Sequence, residues 1–223
     1  MTTARRPRLA ILLSGSGSNL QALIDAINNG MIGADIAVVI SNKPEALGLK
    51  RADNAGIKNT VIDNLQFPNR ENFDKALCRE IQAYKPDLVI LAGFMRILTS
   101  KFVEYFNGRI LNIHPSLLPK YPGLHSHQKA IDAGDLSAGA TVHFVTSTLD
   151  GGASIIQAEV PIYQNDTPEV LAARVLIKEH EIYPLAVQWL CAGRLSLADG
   201  KAYLDSVALP KNGLTFTGTI TEK

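Results

Sequence analysis

The sequence predicts an α/β fold, a mostly parallel twisted sheet with helices on both faces, from three observations. Residues 9–13 and 88–92 are apolar at every position, as strands buried on both faces of a parallel sheet are. Segments with helical spacing alternate with these and other strands, the order expected of βα units. A Gly/Ser loop, Ser14 to Asn19, leads directly from the first strand into the first helix.

Leu20, Leu23, Ile24 and Ile27 give that helix its apolar face, and Gly30 stops it. Residues 34–40 form a second strand, 47–54 a short helix and 59–62 a third strand. Residues 69–84 form an amphipathic helix with Phe73, Leu77 and Ile81 on one face. After the strand at 88–92 comes Gly93-Phe94-Met95-Arg96-Ile97-Leu98, at a carboxyl end where ligands of open α/β sheets collect. That segment either lines a flat heteroaromatic ligand or packs as a buried loop. Residues 99–106 form a helix capped by Thr99 or Ser100.

The next strand, residues 109–114, carries two polar side chains. Residues two apart on a strand share a face, so Asn112 and His114 project together while Leu111 and Ile113 point the other way. Pro115, Pro119 and Pro122 then fix a stiff excursion before a helix at 126–133. Residues 140–145 and 155–160 read as a hairpin around Leu149-Asp150-Gly151-Gly152. Thr167-Pro168-Glu169 opens a helix that Pro184 is expected to break or kink before residues 185–192. A hairpin at Asp199-Gly200 and a poorly ordered tail complete the C-terminal part, about 195–223. The whole is read as one domain, 1–223, with residues 1–7 a flexible, basic arm.

With 22 basic against 21 acidic side chains there is no global attraction to nucleic acid or anionic membrane. No apolar run reaches the roughly 18 residues of a membrane span, and a cytoplasmic protein is expected. Cys78 and Cys191 form no metal or redox motif.

The Gly/Ser loop lacks both the Lys of a nucleoside-triphosphate loop and the third glycine of a dinucleotide fingerprint. It suits a single phosphate monoester, or is a bare turn. The amide and imidazole of Asn112 and His114 suit chemistry at a carbonyl. Asp150 is either a hairpin-turn residue or a catalytic carboxylate. His125 and His127, without an acidic or cysteine cluster, read as loop hydrogen-bonders rather than metal ligands. Glu179, His180 and Glu181 read as a solvated face.

Together, Ser14 to Asn19, the 91–98 segment, Asn112-Ile113-His114-Pro115-Ser116-Leu117-Leu118-Pro119 and the Asp150-Gly151-Gly152 turn resemble the phosphoribosylglycinamide formyltransferases, the folate-dependent transformylases of purine synthesis. The resemblance runs nearly end to end and implies a Rossmann-like sheet. It implies that Gly17, Ser18, Asn19 and Glu179 bind glycinamide ribonucleotide. It further implies that Arg70, Met95, Arg96, Ile97, Leu98, Asn112, Thr146, Ser147, Thr148, Leu149 and Asp150 hold 10-formyltetrahydrofolate as cosubstrate, with no metal. Asn112 and His114 would stabilise a tetrahedral oxyanion, while Asp150 tunes His114 and assists proton transfer. The expected partners are those two small molecules, with neither nucleic acid nor membrane, for a monomer or homodimer. Methionyl-tRNA formyltransferase and formyltetrahydrofolate hydrolase share the core motif but normally add a further domain. A non-catalytic nucleotide- or folate-binding protein is the rival of a different class.

Overall fold

The computed structural model describes residues 5–218. By compactness the chain divides into two units, Met1–Leu111 and Asn112–Lys223.

In the first unit, β1 (Arg8–Leu13), β2 (Asp35–Ser41), β3 (Asn59–Val61) and β4 (Leu88–Leu91) lie in the order β4-β1-β2-β3, every pair parallel. Helices α1 (Ser18–Asn28), α2 (Leu47–Asn54), α3 (Arg70–Ala83) and α4 (Ser100–Tyr105) alternate with them, and a single 3-10 turn spans Asn64–Gln66. The apolar runs are the centre of this sheet: Leu9, Ile11, Leu12, Leu13, Val89 and Ile90 expose no surface. Each such side chain contributes about 1.5–3 kcal/mol by leaving water. Caps fall where short polar side chains precede helical runs, with Asn69 accepting from the Asn72 N–H and Thr99 from that of Phe102.

The basic N-terminal arm is not loose over residues 5–7. Arg5 pairs with Asp87 at 2.7 Å, Arg6 donates to the Ala34 carbonyl at 2.7 Å, and the Pro7 carbonyl accepts from the Asp35 N–H. The charge that sequence assigns to solvent finds partners at the ends of β2 and β4. Residues 1–4 lie outside the described part.

Strand β5 (Ile110–His114) carries the division, with Asn112 to His114 in the second unit. There β6 (Ser137–Phe144) and β7 (Ser154–Pro161) are antiparallel as the hairpin reading requires, and with β11 (Leu214–Phe216) the order is β11-β7-β6-β5. Helices α5 (Ser126–Asp132) and α6 (Pro168–Cys191) belong to this unit. A small separate sheet, β10-β9-β8, is antiparallel and contains β8 (Leu195–Ala198), β9 (Lys201–Leu204) and β10 (Val207–Ala208).

Two expectations are corrected. Pro184 does not break α6, which is continuous through it. A proline inside a helix costs about 3 kcal/mol, but Ile182, Tyr183, Ala186 and Val187, all fully buried, flank it, and their burial opposes that cost. Nor is the segment after the β8–β9 hairpin all tail: β11 (Leu214–Phe216) pairs parallel with β7, Leu214 opposite Ile156 and Phe216 opposite Ala158. Residues 219–223 lie outside the described part. Among the described residues no helix is long and apolar enough to cross a membrane.

Candidate active site

The alternation along β5 places the chemistry. Leu111 and Ile113 are buried in the packing layer, while Asn112 is half-buried and His114 is 6% exposed. Facing them is Asp150, in the connection between β6 and β7, with φ at 49°. An aspartate tolerates this left-handed conformation better than most residues. The glycines after it are there for space: a Cβ on Gly152 would lie 1.7 Å from the Phe144 carbonyl oxygen.

Asp150 Oδ2 is 3.4 Å from His114 Nδ1, and it accepts the Gly123 N–H at 2.8 Å. His114 Nε2 lies 3.0 Å from the Tyr121 carbonyl, which can only accept, so that nitrogen carries a proton. Both imidazole nitrogens therefore face protein acceptors. With the proton on Nε2, Nδ1 carries a second one, toward Asp150, only in the doubly protonated ring. The rigid excursion after β5 supplies these contacts, and Ser116 Oγ and Ser126 Oγ brace it through the Lys120 and Pro115 carbonyls.

A residue that sequence reading missed completes the group. His143 on β6 is 2% exposed; its Nε2 is 3.1 Å from Asn112 Nδ2 and 3.8 Å from Asp150 Oδ1. Burial pushes its pKa down, against the favourable charge of Asp150. His127 belongs to α5 rather than to a loop, and among the described residues its Nε2 has no hydrogen-bond partner. Burial, then the neighbouring His114, holds its pKa below the ordinary value.

In the first unit the Gly/Ser loop turns on Gly17, whose φ is 70° and whose Cβ, if present, would lie 2.5 Å from the Gly48 Cα. Among the described residues no side chain caps the start of α1. The start of a helix carries the positive end of its dipole, so this turn suits an anion. Arg51, a second residue missed from sequence, adds a formal charge: its Nε donates to the Ser16 carbonyl at 2.9 Å.

The 93–98 segment is split. Phe94 and Leu98 are buried, whereas Met95 is 63% and Ile97 47% exposed. Ser14 Oγ accepts the Met95 N–H at 2.7 Å and donates to Asn42 Oδ1, whose amide donates to Asn64. Arg96 lies over the Phe73 ring at 5.6 Å, and Asp74 accepts the Thr99 N–H. Burial raises the Asp74 pKa, opposed by the Thr99 bonds and by Arg70 and Arg96. Arg70 is exposed on the first turn of α3.

In the second unit Ser147, Thr148 and Leu149 are exposed and Thr146 is half-buried. Glu179 is 8% exposed on α6, not part of a solvated face. A cavity of about 540 Å³ is lined by Pro115 to Tyr121 among others, but not by Asn112, His114 or Asp150, so it is separate from this chemistry. Among the described residues no cluster of three or more His, Cys, Asp or Glu side chains could hold a metal ion.

An amide, an imidazole and a carboxylate converging on a mostly parallel α/β sheet are the equipment of an enzyme that transfers a group at a carbonyl. Residues 7–187 match the Formyl transferase family; the chain belongs to that family and is a formyltransferase. It is 50% identical over 205 residues to the phosphoribosylglycinamide formyltransferase of Escherichia coli (strain K12), covering 92% of this chain and 97% of that one. Identity to the enzyme of the same name from Haemophilus influenzae is 52% over 206 residues, with the same coverage. Among solved structures, the phosphoribosylglycinamide formyltransferase of Coxiella burnetii superposes with a TM-score of 0.90 at 46% identity, over 95% of this chain and 100% of that one. A formyltetrahydrofolate deformylase from Pseudomonas putida is more distant, with TM-score 0.81 and 26% identity over 92% of this chain and 72% of that one.

Proposed function

We propose that this chain is a cytoplasmic enzyme of purine biosynthesis that moves the formyl group of 10-formyltetrahydrofolate onto the amine of glycinamide ribonucleotide. The observation that carries the reading is the buried Asp150–His114 pair facing the same space as Asn112. Asn112 donates an amide N–H to the formyl oxygen as it takes up negative charge, and His114 donates through Nδ1. One such donor supplies about 3 to 4 kcal/mol of transition-state stabilisation. Asp150 holds the imidazole in place and accepts a proton from the attacking amine, directly or through water; as the tetrahedral adduct collapses, the bond from the formyl carbon to N10 of the folate breaks and that nitrogen takes up the proton, releasing tetrahydrofolate.

The acceptor's phosphate is assigned to Gly17, Ser18 and Asn19, with Arg51 beside the turn, and Glu179 is assigned to the same substrate. The donor supplies an activated formyl carbonyl. Exposed Met95 and Ile97 beside Arg96, with Arg70 on α3, suit a flat ring system bearing a carboxylate tail. Thr146 to Asp150 is assigned to the donor in the second unit. The partners are these two small molecules, for a monomer or homodimer, with no metal in the reaction.

The test is a spectrophotometric assay with glycinamide ribonucleotide and a 10-formylfolate. Consumption of donor only when the amine is present is the expected result. Consumption without it would mean a hydrolase, and none in either case would leave a binding protein.

A further inference from the structure

We infer that His143 is a positioning residue: it fixes which edge of the Asn112 amide faces the reacting carbonyl. The inference rests on the proposed role of Asn112 and adds a residue to it. His143 Nδ1 lies 2.8 Å from the Phe144 carbonyl oxygen. A carbonyl only accepts, so Nδ1 bears the proton, and in the neutral ring Nε2 presents a lone pair. That lone pair is 3.1 Å from Asn112 Nδ2 and takes one of its two N–H groups. The second N–H remains for a ligand. A flipped amide would set its oxygen against Nε2, lone pair to lone pair, and could form only with a doubly protonated ring. Burial opposes that second proton and so does His114, while Asp150 Oδ1 at 3.8 Å favours it. With His143 2% exposed, burial is the largest influence and outweighs the Phe144 carbonyl and Asp150, so the pKa of the ring lies below its ordinary value.

The fold aims His143 deliberately. The β6–β7 register shifts between Val142 and His143 with Ile155 as the extra residue on β7, so β6 keeps its alternation and His143 stays on the face of Thr141. Two residues earlier on the same face, Thr141 accepts the Leu118 N–H and donates to the Ser116 carbonyl. One face of β6 thus secures both the strand bearing Asn112 and the loop after it. An amide held in one orientation before substrate arrives spends no reorganisation at the moment of reaction.

Three variants and one spectrum test this. Gln can present an acceptor oxygen near the Nε2 position, whereas Asn is too short to reach Asn112. In His143→Asn, kcat should fall about tenfold to a hundredfold with both KM values little changed. His143→Gln should recover kcat to within about threefold of the parent enzyme. Long-range proton–nitrogen NMR of the parent enzyme should show His143 protonated at Nδ1 and bare at Nε2 between about pH 6 and 8, with the Nε2 signal moving in Asn112→Ala. An Nε2–H tautomer, a doubly protonated ring, or a folded Gln variant no faster than the Asn variant would overturn the inference alone. Parental kcat in Asn112→Ala would instead overturn the role proposed for Asn112.

Discussion

Asp150 and His114 meet at 3.4 Å with side chains only 9% and 8% exposed, although they come from different elements of the second unit. The carboxylate has a further donor in the Gly123 N–H, which ties it to the excursion following β5. Asp150→Asn keeps a residue that tolerates positive φ and can still accept from Gly123, so the fold should survive. Turnover should fall at least about a hundredfold. Steady-state rates beside a far-ultraviolet circular dichroism spectrum check both halves; near-normal rates would remove Asp150 from the mechanism.

Gly17→Ala introduces a Cβ 2.5 Å from backbone at Gly48, at a φ that side chains resist. The turn must shift to relieve it. The KM for glycinamide ribonucleotide should rise at least about tenfold, against a much smaller change for the folate donor, and stability should drop by about 1–3 kcal/mol. Equal changes in both KM values would contradict the assignment of this turn to the acceptor.

Ser14→Ala removes the hydroxyl that accepts the Met95 N–H and donates to Asn42. The donor KM should rise about fivefold to tenfold, because an unpaired main-chain group costs about 1–3 kcal/mol and loosens the segment that carries Met95 and Ile97. Isothermal titration with a folate analogue would measure it, and unchanged affinity would detach residues 95–98 from donor binding.

Arg174 grips Asp166 with two hydrogen bonds, at 2.6 and 2.8 Å, and lies 4.5 Å over the Tyr163 ring. The guanidinium bonds hold the Asp166 carboxyl down at about 2, against an ordinary 3.8. Because the folded value is the lower one, the pair stabilises the protein above about pH 3.8 and loses that contribution as pH falls toward about 2. Arg174→Met should therefore lower Tm near neutral pH, and its Tm deficit should shrink below about pH 4. A deficit independent of pH would assign the loss to packing on Tyr163 instead.

The parts legible in the sequence were those whose cause is local. The runs at residues 9–13 and 88–92 declare strands buried on both faces. The alternation at Asn112 and His114 declares a shared face whatever the rest of the chain does. His143 was not legible, because it lies in a buried strand where a lone histidine resembles a core residue. Its meeting with Asn112 is made by setting β6 beside β5, between residues 31 apart in the chain. Arg51 is likewise an ordinary helix cation until folding sets it against Ser16, 35 residues earlier. Pro184 misled because its local penalty is visible in sequence and the burial that opposes it is not.

Strand β11 has only three residues, too few to show any period, yet its position on β7 matters beyond the interior. An eight-residue strand such as β7 with a bare margin is a row of unanswered main-chain donors and acceptors, a template on which another polypeptide can line up. Leu214 to Phe216 answer the middle of that row, and their own margin is too brief to recruit a successor. Among the described residues the second unit's sheet therefore ends in a three-residue margin, a shorter template than β7 alone would offer.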